Sequence, residues 1–363
     1  MVTLEIESNH AGQRLDKFLA KFLPDAPAGF FYKMLRKKNI TLNGKKAEGR
    51  ELLQLQDQVT LWLADDTILK FGGYLPQEKK TSDTTSIYRN AYEKLKGIHV
   101  LYEDEHVLIL DKPAGILTQQ AKEGDLSLNE WMIGYLLDKK TIKPQDLRLF
   151  KPSVCNRLDR NTSGLVLCGK SLIGSQKLSE LIRSRGVRKF YRTICLGRVS
   201  SKIAGKPDEI RGYLQKDEAS NKVKISETLP GSFIQTAYLP LEHYELPRTK
   251  QTINPGKNVT MSQKTLSFTE LEVELITGKT HQIRAHLASI GHPLIGDGKY
   301  GDARMNRFLQ QRFGLNWQLL HAYRIQFPLM DGPLAPLSKV QIDAPLPKQY
   351  KDILDGLLQM ENR

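Results

Sequence analysis

The stretch Cys155-Asn156-Arg157-Leu158-Asp159-Arg160-Asn161-Thr162-Ser163-Gly164 sets one carboxylate among arginines, in a polar turn that runs into the apolar segment Leu165-Val166-Leu167-Cys168. Nearby positive charge favours the ionised form of a carboxylate. Held ionised in an electropositive cleft, Asp159 could act as a nucleophile or a base. The same residues also suit a surface aspartate whose ion pair steadies a turn, and the local sequence does not separate the two.

A second cluster, Val187-Arg188-Lys189-Phe190-Tyr191-Arg192, lies in a stretch from Leu181 to Arg192 that holds five basic residues and no acid. An aromatic ring among cations is what base stacking beside phosphate contacts requires. A core tyrosine with basic residues on the opposite strand face fits equally well. The third element begins with the alternating strand Leu271-Glu272-Val273-Glu274-Leu275 and turns at Gly278. It then enters a helix whose buried stripe is expected to be Ile283, Leu287 and Ile290. Arg284 would lie beside that stripe, where an arginine needs a carboxylate partner. Glu272 and Glu274 are the structural candidates for that role.

Other chemistries find no support. Gly278-Lys279-Thr280 resembles the end of a phosphate-binding loop, but Val273 stands where its first glycine belongs. Gly296 to Gly301 satisfies a dinucleotide-type glycine pattern, yet it follows a helix-like stretch, not a strand. His281 and His286 are five apart, off the spacing that puts two ligands on one helical face, and no cysteine is near. No glycine-flanked serine elbow precedes a helix. No metal and no cofactor is expected. Cys168, the nucleophile of a conceivable RNA methyltransferase, sits in an apolar strand, which raises a thiol's pKa.

The elements that must position these residues fall into zones. Residues 1–63 form a compact block, 64–97 a polar linker, 98–350 a region of mixed strands and helices, and 351–363 a C-terminal tail. The block carries two helix signals, over residues 14–20 and 29–38, then the hairpin turn Asn43-Gly44 and a closing strand at residues 58–63. Between residues 31 and 50 stand seven basic residues, Lys33, Arg36, Lys37, Lys38, Lys45, Lys46 and Arg50, against the single acid Glu48. Beside the aromatics Phe31 and Tyr32, expected to be exposed, they read as a phosphate-tracking surface more than as a solvated face. Pro247 to Lys264 reads as a polar excursion of a hairpin with no assigned role.

The whole chain agrees with that partner. Its 363 residues carry 54 Lys and Arg against 40 Asp and Glu, a net charge of +14. Such a surplus predicts attraction to a polyanion. The N-terminus lacks the apolar core of a signal peptide, and no apolar run approaches the ~18 residues that span a bilayer. Three cysteines, an odd number, fit a reducing compartment. A cytoplasmic protein acting on nucleic acid, with no membrane role, is expected.

Two resemblances sharpen this. Residues 14–20 (RLDKFLA), the basic second helix, residues 40–47 (ITLNGKKA) and residues 58–63 (QVTLWL) resemble the αL RNA-binding domain of ribosomal small-subunit proteins. Residues 156–167 (NRLDRNTSGLVL), 189–199 (KFYRTICLGRV) and 275–301 (LITGKTHQIRAHLASIGHPLIGDGKYG), in that order, resemble the three signature motifs of the RluA-type pseudouridine synthases. Tyr102 to Gly115 resembles that family's opening hairpin, and Leu320 to Arg324 its late strand. The resemblance implies an α+β fold with a large mixed, mainly antiparallel sheet. It implies isomerisation of uridine in RNA: the bond from sugar to ring nitrogen breaks, the uracil turns, and a carbon–carbon bond forms. Large-subunit ribosomal RNA is the expected substrate, with transfer RNA second and a non-catalytic RNA-binding or ribosome-assembly factor as the rival reading.

By motif, Asp159 matches the catalytic aspartate, attacking sugar or uracil or taking a sugar proton. Tyr191 matches the tyrosine that stacks on the flipped base and assists proton removal, and Arg284 the arginine paired with the carboxylate. Arg157 matches an arginine that fills the space the nucleotide leaves. Arg160, Arg188, Lys189 and His281 join the basic residues of the first block as expected RNA contacts, and a monomer suffices. The sequence departs from the family at Asn156, where histidine is usual, and at Lys279, where arginine is commoner.

Overall fold

The computed structural model describes residues 1–7, 9–74, 85–217, 222–226, 228, 231–247 and 265–361. The excursion expected over Pro247 to Lys264 therefore lies almost wholly outside the described residues.

The first unit runs β1 (Val2–Glu5), α1 (Leu15–Phe22), α2 (Ala28–Arg36), β2 (Ile40–Leu42), β3 (Lys45–Lys46), β4 (Gln58–Leu61) and α3 (Asp65–Lys70). Its antiparallel sheet has the order β1-β4-β2-β3. In α1, Leu15, Phe18, Leu19 and Phe22 recur at helical spacing and are all buried against the sheet. Asn43 and Gly44 have φ of 50° and 72°, the paired left-handed conformation that a two-residue hairpin demands. One expectation is corrected here: Phe31 is buried, because it shares the inner side of α2 with Leu35 one turn on, and Tyr32 alone is exposed.

After α4 (Ser86–Lys94), the second unit continues with β5 (His99–Glu103), β6 (Val107–Lys112), α5 (Leu128–Asp138), α6 (Asp146–Leu149), β7 (Ser153–Val154), β8 (Ser163–Gly169), α7 (Leu172–Arg183) and β9 (Arg188–Leu196). Then come β10 (Asp208–Asp217), β11 (Lys222–Ser226), β12 (Ser232–Pro247), β13 (Thr265–Leu275), α8 (Gln282–Ser289), α9 (Ala303–Phe313), β14 (Leu320–Gln326), β15 (Gln341–Asp343) and α10 (Lys348–Glu361). The strands form one eleven-stranded sheet, β11-β10-β12-β13-β9-β14-β8-β6-β5, with β15 beside β14 and β7 beside β8. Every pair is antiparallel except β14 with β8. The expected α+β fold with a mixed, mainly antiparallel sheet is what forms.

Both faces of the central strands are covered, which is why β8 is apolar throughout and wholly buried. Val166 and Cys168 face a core shared with α4, α5 and α8, while Leu165 and Leu167 face α7. Where β8 meets β14, Gly164 has a φ of 110°, and a Cβ there would fall 2.2 Å from the Ala322 carbonyl oxygen. Only glycine permits that approach.

Two boundaries differ from expectation. The polar stretch 64–97 is not bare linker at its ends: α3 inserts Ile68 into the first core, and α4 packs Tyr88 and Ala91 into the second. Few apolar residues suffice to anchor so short a helix, so composition alone hides it. Nor is 351–363 a free tail, because α10 buries Tyr350, Ile353 and Leu357 with Phe268 and Leu309. The two units also touch. Leu149 of α6 completes the first unit's core, Lys143 pairs with Glu7 at 2.9 Å, and Arg148 lies over the Tyr74 ring. Among the described residues, no helix is long and apolar enough to cross a membrane.

Candidate active site

Asp159 sits in the loop that enters β8, and its neighbours on both sides are tied down. The Thr118 hydroxyl donates to the Leu158 carbonyl at 2.8 Å and accepts from the Leu158 amide at 3.2 Å. The Arg160 carbonyl receives the Gly115 amide at 2.9 Å and the Lys112 ammonium at 3.0 Å. Lys112 is fully buried and also donates to the carbonyls of Pro113 and Ile116. Burial brings its pKa down to about 7, against the opposing pull of Asp159 and Asp111. Asn156, standing where the family has histidine, bonds the backbone of β8: its side-chain oxygen accepts from Leu167 N at 2.7 Å. It serves the strand edge, not the cleft.

The partner of Asp159 comes from α8. Arg284 Nη1 donates to Asp159 Oδ2 at 2.9 Å, while its Nε and Nη2 form a fork on Asp297 at 2.7 and 2.8 Å. Neither Glu272 nor Glu274 takes part, which corrects the structural alternative. Asp297 is fully buried and also accepts the amides of Lys299 and Tyr300. Burial alone would raise its pKa, but the Arg284 contact and these amides hold it below the ordinary carboxylate value. A planar guanidinium thus aims one N–H at Asp159 from an anchor that cannot swing. The sequence reading missed Asp297, although it lies inside the glycine pattern dismissed as a nucleotide site.

Tyr191 rises from β9 into the same cleft, 5% exposed. Burial, with the charge of Asp159, pushes its phenol well above the usual tyrosine range. Its ring therefore stays neutral and can present a flat face to a base. Arg157 and Lys279 are exposed at the rim, and His281 lines the same cleft, its Nε2 3.9 Å from Asp159 Oδ2.

Not every expected contact reaches this cleft. Strand alternation places Arg188 and Arg192 on the face opposite Tyr191. There Arg188 forms a fork with Glu274, at 2.8 Å twice, and Arg192 pairs with Glu270 at 2.9 Å. Arg188 is accordingly removed from the expected RNA contacts. Lys189 shares the Tyr191 face, and its ammonium reaches the turn at Gly278. Arg160 turns away to the Gly115 carbonyl at 3.3 Å, though it stays exposed. Lys33, Arg36, Lys37, Lys38, Lys45 and Lys46 are exposed on the first unit. Isoleucine 290 ends α8 and is 38% exposed, so only Ile283 and Leu287 form the expected stripe.

A broad sheet thus carries an arginine-held aspartate and a buried tyrosine in one cleft, with cations at its rim. The chain belongs to the RNA pseudouridylate synthase family, whose model matches residues 106–289. Over 357 residues it is 30% identical to the ribosomal large subunit pseudouridine synthase C of Vibrio parahaemolyticus, covering 98% of this chain and 96% of the relative. The protein of that name from Escherichia coli is 27% identical over 324 residues, 89% of this chain and 87% of the relative. The solved structure of human RNA Pseudouridylate Synthase Domain Containing 4 covers 76% of this chain and 97% of its own, with a TM-score of 0.51 and 18% identity. That last likeness is one of fold. The protein is an RNA pseudouridine synthase.

Proposed function

We propose that this enzyme isomerises defined uridines of large-subunit ribosomal RNA, with Asp159 as its essential carboxylate. The observation that carries the reading is the single guanidinium of Arg284, shared between Asp159 and the buried Asp297. It keeps one carboxylate oriented in a cleft lined by Tyr191, where a base could stack. The ribosomal substrate is supported by the names of the relatives, which match this chain almost end to end.

A stacked uridine hides the atoms that must react, so it has to leave its helix, at a cost of a few kcal/mol. Phosphate contacts from rim cations offset that cost. Arg157, exposed beside Asp159, is suited to fill the vacated stack, and Tyr191 to receive the extruded base. Lys189 and Lys279 then face the phosphates on either side. The first unit, with its exposed cations around the Asn43-Gly44 turn, would hold structured RNA by shape and backbone. All these groups belong to one chain, so a monomer can act, in the cytoplasm where ribosomal RNA is reached.

The test is to map pseudouridine in total RNA from cells with and without the protein, and with the variant Asp159→Asn. One or a few large-subunit positions should revert to uridine in its absence and stay so with the variant, which should still bind RNA. Loss confined to transfer RNA would redirect the substrate, and full modification by the variant would sink the role of Asp159.

A further inference from the structure

Isomerisation leaves a proton problem that Asp159 alone does not solve. When C5 of the rotated uracil bonds to the sugar, that carbon still carries its hydrogen, while N1 holds the electron pair left by bond cleavage. One proton must leave C5 and one must reach N1. With Asp159 engaged at the sugar or the uracil, a second base for this step has to lie within about a side chain's reach of it and be unprotonated at working pH. The arginines of the cleft do not accept protons, and Lys112, although its pKa is brought down to about 7, is fully buried with its nitrogen bound to the carbonyls of Pro113, Ile116 and Arg160. Tyr191 lines the same cleft, but burial and the charge of Asp159 both oppose the phenolate that would accept a proton.

His281 meets the requirement. It occupies the N-cap of α8 with φ 56° and ψ 16°, a left-handed conformation uncommon outside glycine. Such a conformation is a small strain, maintained only where surrounding structure enforces it. Here it turns the imidazole back over the cleft, Nδ1 to the Tyr300 hydroxyl at 3.2 Å and Nε2 3.9 Å from Asp159 Oδ2. The side chain is 13% exposed, against 25% for Asp159, and both line the same pocket. Tyr300 also accepts the Val223 amide at 3.0 Å from β11, so the ring is braced from a second element. The charged groups around the imidazole are Asp159 and Asp297 on one side of the balance and Arg284 and Lys299 on the other. Burial is the largest influence and lowers its pKa; the arginine and lysine add to that, and the carboxylates oppose it. On balance these influences favour the neutral imidazole.

We propose that His281 is a second catalytic residue, the base that takes the C5 proton after the carbon–carbon bond has formed. This rests on reading the cleft as the site of uridine isomerisation. The C–H electron pair returns to the ring, the proton passes to Nε2, and the imidazolium gives it up to N1. No oxidant, reductant or co-reactant enters. Asp159 is then free for the bond-making step at the sugar or the uracil, and Tyr191 for stacking.

The test uses the whole enzyme and substrate RNA labelled with deuterium at C5, under single-turnover conditions. His281→Asn keeps a residue that tolerates the left-handed conformation but cannot carry the proton. Its rate should fall about 100-fold or more, the usual worth of one acid–base group. RNA affinity should stay within about threefold. Deuterium at C5 should slow the variant far more than it slows the natural enzyme. In His281→Ala, added imidazole should restore part of the rate. A rate near that of the natural enzyme, a loss explained by weaker RNA binding, or the absence of any isotope effect and imidazole rescue would overturn the proposal. A natural enzyme that leaves uridine unchanged would overturn the reading of the cleft itself.

Discussion

Arg284 meets two carboxylates in unequal settings: Asp159 is open to the cleft, and Asp297 is sealed beneath it. Removing one partner of a buried pair leaves an uncompensated charge, at about 3–5 kcal/mol. We therefore expect Asp297→Asn to lower the unfolding free energy by a few kcal/mol in urea and to slow the reaction at least tenfold, because Arg284 loses its anchor. Its pH dependence follows from the depressed folded-state pKa. Asp297 contributes stability that is complete above the unfolded carboxylate value near ~4 and is lost as pH falls through the folded value. Urea titrations at falling pH should show that loss in the natural protein and a flatter profile in the variant. The thiol of Cys168 lies at the opposite extreme, fully buried, with burial driving its pKa upward. It should react with a thiol reagent no faster than the protein unfolds, which a labelling time course would show. At this scale Asp159, Tyr191 and Arg284 were legible from motif resemblance. Asp297 and Lys112 were not, since a glycine-rich turn and a strand-end lysine give no local sign of burial.

Alternation in β9 decides which cations can meet the substrate. Arg188 and Arg192 spend their charge on the acidic ladder Glu274 and Glu270, while Tyr191 and Lys189 share the other face. The sequence shows a basic run; only pairing with β13 reveals that part of it is neutralised. Where β8 approaches β14, we expect Gly164→Ala to cost more than about 3 kcal/mol or to prevent folding, because the added methyl meets the Ala322 carbonyl. Thermal unfolding of that variant is the check. Helix α10 makes the complementary case: ending the chain at residue 347 should remove the cover from Phe268 and Leu309. Three buried side chains, at roughly 1.5–3 kcal/mol each, predict a loss on the order of 5 kcal/mol, read as a lower melting temperature.

Across the whole molecule, the surplus of fourteen positive charges is distributed by function. Exposed cations on the first unit and at the cleft rim remain available, while Arg188, Arg192 and Arg324 of the central sheet are paired with carboxylates. Replacing Lys37, Lys45 and Lys46 together by Gln should weaken ribosomal RNA binding and flatten the plot of log affinity against log salt by about two units. An unchanged slope would show that this surface is merely solvated. By itself the sequence determined the α+β class, the αL-like hairpin turn and the three motifs, since each rests on local periodicity or on a contiguous string. The Arg284–Asp159 pairing, 125 positions apart, was implied by the motif resemblance, but tertiary structure alone decided that Asp297 anchors that arginine. It also decided that His281 turns its imidazole onto the same carboxylate. These contacts join separate elements through sheet register and helix docking, and neither is written in the spacing of neighbouring residues.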